Sequence, residues 1–444
     1  FQPPDAKKYR VELRSGPVAY VVPDRELPLV NISIMVRCGE YLDPAGKEGL
    51  ASLTGTMLFH GGTEKMTAPE LEERAAFLAA QFRTSVENTA GNASLNLLSK
   101  DLDEGIALLR DILATPRFQE NKVQLRKDQL MQELKQRNDD SADIEGRELG
   151  HLAYGDSFWI NRDFTAKSIE SITHDDLVAF HRRWFHTANF VVAVSGDFDR
   201  DTMVAKLEKL FADWPFKGEL PPPVPTNAAF AKPGVYIVNK DVNQGRVSIL
   251  LPGIMRDDRD VFAAGVMNDI LGAGGFTSRI VNRVRTDEGL AYSAGSSLQG
   301  GIYFPTPFAA ACQTKSRTVA YAVSLVLDEM RKLTAAPVTD AEPGPAVVRH
   351  GFLAPDQGWM VQFQAYWFFG ARVAILTATT PSASVTTAVA PSYKSARACS
   401  RPCFSEPAIG WLPTNRSPAP VRIGSSSATT DPLTLPTSVT RTSG

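Results

Sequence analysis

The chain reads as an α+β protein built from two homologous units, each a mainly antiparallel sheet packed with helices. Three observations lead there. One order of elements occurs twice, a proline-rich connector separates the two occurrences, and the length of 444 residues exceeds the roughly 250 to 300 at which a single core usually stops growing.

Alternating apolar residues at 18–22 and 29–36 predict strands, and 47–59 then follows with helical spacing. Thr67 with Glu70 three residues later, and Pro69 in the first turn, marks a helix running to about residue 82. Strand patterns follow at 82–88 and 93–98, and helical ones at 102–113, 120–137, 144–152 and 175–185. The run FVVAVSG at 190–196 reads as a buried strand, and an amphipathic helix at 199–214 closes the half. The connector LPPPVPTNAAFAKPG occupies 220–234. Beyond it the order returns, with strands at 235–239 and 247–251, helices at 260–271 and 277–284, strands at 291–298 and 302–311, and a helix at 317–333. Strand pair, two helices, strand pair, helix is the syntax of the first half, which points to a duplicated unit.

The second copy breaks off. A helix start at 338–342 is followed by proline-, serine- and threonine-rich text with eight basic and three acidic residues over 343–444, and no counterpart of the first half's closing helices or returning strand is apparent. A low-complexity tail is one reading. An abrupt change in mid-element favours the other, a reading-frame shift near residue 342. The expected division is 1–219, a linker at 220–234, a truncated unit at 235–342 and the tail at 343–444.

Composition narrows the function classes. With 43% hydrophobic and 22% charged residues the chain can build cores, and a net charge of −2 supplies no field to gather nucleic acid or an anionic membrane. The four cysteines, Cys38, Cys312, Cys399 and Cys403, lack paired CxxC spacing and are too few for a disulfide scaffold. The most apolar stretch, 359–376, is interrupted by Gln362, Gln364 and Arg372, so no membrane span is expected. The start at Phe1, without a methionine or leader, suits a mature form after signal removal or a fragment.

Four stretches carry a more specific signal in their order and spacing. They are VELRSGPVAYVVPDRELPLVNISIMVRCGEYLDPAGKEGLA from Val11, MLFHGGT from Met57, SGDF from Ser195 and LGAGGFTSRIVNRVRTDEGLAYS from Leu271. Over about residues 8–341 the chain resembles the pitrilysin/insulinase family of inverted-motif zinc peptidases, which includes the mitochondrial processing peptidase and cytochrome core proteins. In that family the helix after GLA carries H-x-x-E-H, two imidazoles for zinc and a glutamate to deprotonate water; zinc activates water only when protein ligands hold it with an open position. Here those places hold Ser52, Gly55 and Thr56. A hydroxyl is a poor neutral zinc ligand and glycine has no base. The resemblance places the family's third ligand at Glu133, a lone surviving carboxylate.

The histidines offer no replacement by spacing. His60 lies one turn beyond Thr56 without a second histidine beside it, and His174, His181 and His186 lack the i, i+4 spacing of a helical metal pair, so they read as cap and surface residues. His151 and His350 are isolated.

The resemblance further implies an arginine and a tyrosine from the C-terminal unit, here Arg285 and Tyr292 in RTDEGLAY. A guanidinium and a phenol can donate hydrogen bonds to the oxyanion and carbonyl of a peptide under attack. On residue types alone, Arg285 could equally make a helix-end salt bridge and Tyr292 be a half-buried strand aromatic. The glycines at 272–275 lack a P-loop lysine and read as a tight turn between helices; Gly274 and Gly275 loosely resemble a substrate-handling loop of the processing-peptidase partner subunit. Strand 82–88, with Phe82, Thr84, Val86 and Asn88, corresponds to the family's edge strand, where a peptide can add by main-chain pairing.

The resulting expectation is a zinc-less partner subunit that binds no cofactor itself, pairs with a zinc-bearing family member, handles unstructured peptides and lends Arg285 and Tyr292 to a shared active site. A peptide-binding or scaffold homodimer without hydrolysis is the alternative, and an active peptidase with unrecognised ligands a third. The periplasm or cell envelope is the expected compartment.

Overall fold

The computed structural model describes residues 5–338, residue 342 and, as backbone, the strand Val373–Ala378. Contacts divide the chain into two units, Phe1–Ile144 with Tyr154–Ala229, and Glu145–Ala153 with Phe230–Gly444.

In the first unit a short helix α1 (Ala6–Tyr9) leads into strands β1 (Arg10–Glu12), β2 (Val18–Pro23) and β3 (Leu29–Val36). Helices α2 (Leu50–His60) and α3 (Ala68–Phe77) precede β4 (Gln81–Val86) and β5 (Gly91–Leu98). Then come α4 (Leu102–Ala114), α5 (Glu120–Gln136), α6 (Ser141–Tyr154), α7 (Ala166–Ser171) and α8 (His174–Trp184), strand β6 (Phe190–Gly196) and α9 (Arg200–Phe211). The sheet order is β1-β2-β6-β3-β5-β4, antiparallel except for the β2/β6 pair.

The two-residue period of β3 explains its seating. Val30, Ile32, Ile34 and Val36 are buried while Asn31, Ser33 and Met35 are exposed. Leu53, Met57, Leu95, Leu97, Phe185 and Phe211 fill the same core. Each such side chain contributes roughly 1.5–3 kcal/mol by leaving water. The start of α3 is the capping box that its sequence announces, with the Thr67 amide donating to Glu70 Oε2 at 2.8 Å.

The second unit contains β7 (Gly234–Asn239), β8 (Gln244–Ile254), α10 (Val261–Asn268), α11 (Arg279–Val281), β9 (Ala291–Ser297), β10 (Thr306–Lys315), α12 (Val319–Ala335) and β11 (Val373–Ala378). Its order, β7-β11-β8-β10-β9, reproduces β2-β6-β3-β5-β4 with the same strand senses, including the parallel β7/β11 pair. The duplication is therefore one of topology, and the fold is α+β with largely antiparallel sheets.

Three expectations change. A returning strand does exist, because VAILTA at 373–378 pairs as β11 between β7 and β8; it was missed because it lies inside unpatterned text. The helix at 144–152 was assigned wholly to the first unit, yet Glu145–Ala153 groups with the second. There Glu145 is buried and accepts from Arg246 Nε and Ser248 Oγ, both at 2.6 Å, beside a pocket of about 260 Å³. A helix's own pattern says nothing about which core it joins. Finally, the helices at 260–271 and 277–284 are α-helical only in part, passing into π-helical segments at Asp269–Ala273 and Asn282–Asp287. The helix start at 338–342 and the contrast between tail and frame shift lie largely outside the described residues.

His181 is a core residue. Its ring sits among Phe118, Phe185 and Phe216, and Nε2 lies 2.8 Å from the Leu113 carbonyl. Burial pushes the imidazole from 6.5 down to about 4. The unfolded chain then binds the extra proton between those values, so this group's stabilisation is complete above about 6.5 and is lost as the pH falls toward 4, up to roughly 3 kcal/mol. Denaturant unfolding at a series of pH values should show this loss in the wild type, and a shallower pH dependence over the same interval in His181→Gln.

Candidate functional site

In the first unit the site is built on α2 and β4. The turn before α2 places Asp43, 6% exposed, where its two carboxylate oxygens accept from the amides of Gly49 and Ala51, both at 2.8 Å, so the helix start is closed by an internal acceptor. Burial nonetheless pushes the Asp43 carboxyl up to about 7, against the pull of those two amides. Leu50, Leu53, Met57 and Leu58 anchor the buried side of the helix.

Gly55 stands where the resemblance expects the family's base, and its surroundings explain more than a lost side chain. A Cβ built there would lie 2.2 Å from Val86 N and 2.5 Å from Ser85 C. The backbone of β4 therefore stands where a side chain at residue 55 would project. The Thr56 hydroxyl donates back to the Ser52 carbonyl at 3.0 Å, and Ser52 is half-buried beside it. Glu133, the expected remnant ligand, accepts from Arg126 at 2.8 Å on its own helix and is 54% exposed. These residues do not fit a catalytic zinc: one position is filled by backbone, one hydroxyl is turned to its own helix, and the carboxylate is paired elsewhere. Among the described residues no group of three or more His, Cys, Asp or Glu side chains could hold a metal.

The histidines have structural partners. His60 is exposed with Nδ1 3.5 Å from Glu72, His174 Nε2 lies 3.3 Å from the Arg117 carbonyl, and His186 Nε2 lies 3.2 Å from the Glu219 carbonyl. On β4 the alternation turns Phe82 and Val86 into the core and leaves Thr84 half-buried. Phe82 stacks on Phe59 with centroids 5.7 Å apart, and Asn88 lies past the strand, its carbonyl accepting from the Tyr41 amide at 3.4 Å. What β4 can offer a peptide is main chain, since it is the terminal strand of its sheet.

In the second unit Arg285 lies in the π-helical segment Asn282–Asp287 and Tyr292 opens β9. The guanidinium is sandwiched between two rings, 4.8 Å from the Tyr292 centroid and 4.5 Å from that of Phe276. Tyr292 is 86% exposed and Phe276 66%, so this is a surface assembly. No carboxylate among the described residues pairs with Arg285, and Tyr292 is not a half-buried aromatic. The sequence reading missed Phe276; its signal was a large aromatic directly after GAGG, where a plain turn would carry a polar residue. Gly274 donates its amide to the Asp269 carbonyl at 2.8 Å, closing the π-turn, and Gly275 carries a φ of +70° with open space around it, a conformation that favours glycine. The glycines thus form a turn between two helical segments that presents Phe276 to Arg285.

Residues 21–155 match the family described as Insulinase (Peptidase family M16), and residues 171–343 the family described as Peptidase M16 inactive domain. An uncharacterized zinc protease of Mycobacterium leprae is 28% identical over 276 residues, 60% of this chain and 60% of that protein. The non-peptidase homolog YmxG of Helicobacter pylori is 28% identical over 324 residues, covering 71% of this chain and 72% of that one. Among solved structures, the peptidase M16 inactive domain from Pseudomonas fluorescens superposes with a TM-score of 0.74 at 22% identity, covering 85% of this chain and 99% of that one. The periplasmic protease PqqL from Escherichia coli gives a TM-score of 0.65 at 16% identity, over 75% of this chain and 37% of that one.

The contact at Gly55 is testable. Gly55→Ala should lose about 1–3 kcal/mol in denaturant unfolding, because backbone must shift to admit the methyl group. The triple variant Ser52→His, Gly55→Glu, Thr56→His should be less stable still and bind no stoichiometric zinc by elemental analysis. A triple variant with wild-type stability and one zinc per chain would show that β4 does not close the site.

Proposed function

Because this chain belongs to the insulinase (M16) family of peptidases, we propose that it is a zinc-less subunit that completes the peptide-handling site of a zinc-bearing family member. One observation carries the reading. Arg285 is held between Phe276 and Tyr292 on the surface, with no acidic partner among the described residues. A guanidinium fixed between two ring faces keeps its N–H edges free, and with the Tyr292 hydroxyl it offers donors to an oxyanion or a peptide carbonyl that another chain brings. The packing at Gly55 supports the complementary half of the reading, that this chain holds no zinc of its own.

In this reading zinc resides in the partner chain and activates the attacking water there. This chain supplies binding and orientation: in the first unit the main chain of the terminal strand β4 is offered to an unstructured peptide, and in the second the turn at Gly274 and Gly275 holds Phe276 against Arg285, which with Tyr292 offers donors to developing charge. The H. pylori relative described as a non-peptidase homolog agrees with a chain inactive alone. The reading extends to the periplasm or cell envelope, the compartment of the E. coli structural neighbour; no helix among the described residues is long and apolar enough to cross a membrane. A peptide-binding or scaffold homodimer is the second reading, favoured by the closed α2–β4 contact, which leaves strand pairing without chemistry.

Co-purification with a zinc-motif chain from the same source separates the two. Zinc and cleavage of an unstructured peptide should appear only in the pair. Tyr292→Phe or Arg285→Lys should then lower kcat by on the order of 10²-fold, the loss expected for one oxyanion donor, with zinc content and assembly unchanged. A stable homodimer with no zinc, no association and no cleavage would leave the scaffold reading in its place.

A further inference from the structure

The connector between the units has the composition of a linker, yet its first half is bound along its length to the first unit. Just before it, the Trp214 indole donates to the Phe185 carbonyl at 2.8 Å. The Glu219 carbonyl lies 3.2 Å from His186 Nε2, the Pro222 carbonyl accepts from the Tyr41 hydroxyl at 3.2 Å, and the Pro225 carbonyl accepts from the Trp159 indole N–H at 3.1 Å. The Ala229 amide then donates to the Tyr154 carbonyl at 2.9 Å.

The spacing of these contacts has a physical meaning. Polyproline II has three residues per turn and no internal hydrogen bonds, so carbonyls three apart point the same way and remain available to outside donors. Pro222 and Pro225 are three apart, and so are Pro221 and Val224, which are half-buried while Pro222, Pro223 and Pro225 are exposed. The receiving surface is two aromatic rings packed edge to face, Tyr41 and Trp159, with centroids 5.8 Å apart and both polar tips turned to the strand. Rings that offer both an apolar face and one donor are what a polyproline strand needs, because its own backbone supplies acceptors and, at proline, no donor.

We propose that Tyr41 and Trp159 form a polyproline-II docking site whose resident ligand is the chain's own connector, making residues 214–229 a fixed strap on the first unit. The restraint is built into the fold, since Tyr41 sits in the turn whose next residues lead to Asp43 and the start of α2, and whose backbone is bonded to Glu87 and Asn88 beyond β4. Prolines lower the cost of docking, because the free connector already samples the bound conformation.

The full chain tests this by limited digestion with proteinase K, with cuts mapped by mass spectrometry. In the double variant, Tyr41→Phe keeps its ring and removes its donor, and Trp159→Phe removes the indole N–H and leaves a smaller ring in its place. Cleavage within 220–229 should rise at least about tenfold in that variant, on the scale of two lost hydrogen bonds, while the pattern of cuts elsewhere stays as in the wild type. A second variant with Pro221, Pro222, Pro223 and Pro225 changed to glycine vacates the site. The synthetic peptide LPPPVPTNAA should then shift the Trp159 indole N–H resonance in that variant and leave it unmoved in the wild type, where the tethered strap outcompetes a free peptide. An unchanged cleavage rate in the double variant, or a Trp159 signal that the peptide does not move in the vacated one, overturns the proposal.

Discussion

The contact between Gly55 and the Ser85–Val86 peptide organises the first unit. Because residue 55 has no side chain, α2 rests directly on the backbone of β4. Phe59 and Phe82 stack across the same junction, and Val86 is buried against it. A side chain at residue 55 would meet this main chain, so the junction between helix and strand depends on glycine there.

The two units carry different chemistry on the same topology. In the first, Asp43 is bonded to amides, Thr56 to a carbonyl of its own helix and Glu133 to Arg126. In the second, a cation stands on the surface between two aromatic rings. Self-satisfied groups have little left to offer a ligand, whereas Arg285, with no counter-ion among the described residues, has its directional donors still to use.

Much of this was legible in the sequence because the signals are local. The alternation in 29–36 and the Thr67 and Glu70 pair each report on a few neighbouring residues, and the structure agrees with them; His181 and His186, which read as cap and surface residues, are instead buried, because the partners that cover them are distant along the chain. What could not be read depends on partners far away along the chain. Gly55 looked like a deleted base, and only the approach of β4 shows that it is a packing requirement. The prolines at 221–225 looked like a spacer because the rings that hold them lie at 41 and 159. The π-helical turns at Asp269–Ala273 and Asn282–Asp287 share their apolar pattern with ordinary helices and differ only in which carbonyl each amide finds. The strand at 373–378 is short and has no patterned flanks to announce it.

The sheet order also has a consequence for how the chain is made. In each unit the strand that emerges last is inserted in the middle, β6 between β2 and β3 and β11 between β7 and β8. Strands β2 and β3 are not neighbours, so on leaving the ribosome they must wait for residues 190–196 before either can complete its pairing. At typical elongation rates of about 5–20 residues per second, that wait lasts on the order of ten seconds or more. During it, two apolar strands have open edges, and the helices made in the interval are what can shelter them. The second unit repeats the situation with β7 and β8, whose gap stays open until residue 373 arrives. Such nonlocal closure makes folding slow and places the greatest exposure to aggregation late in synthesis.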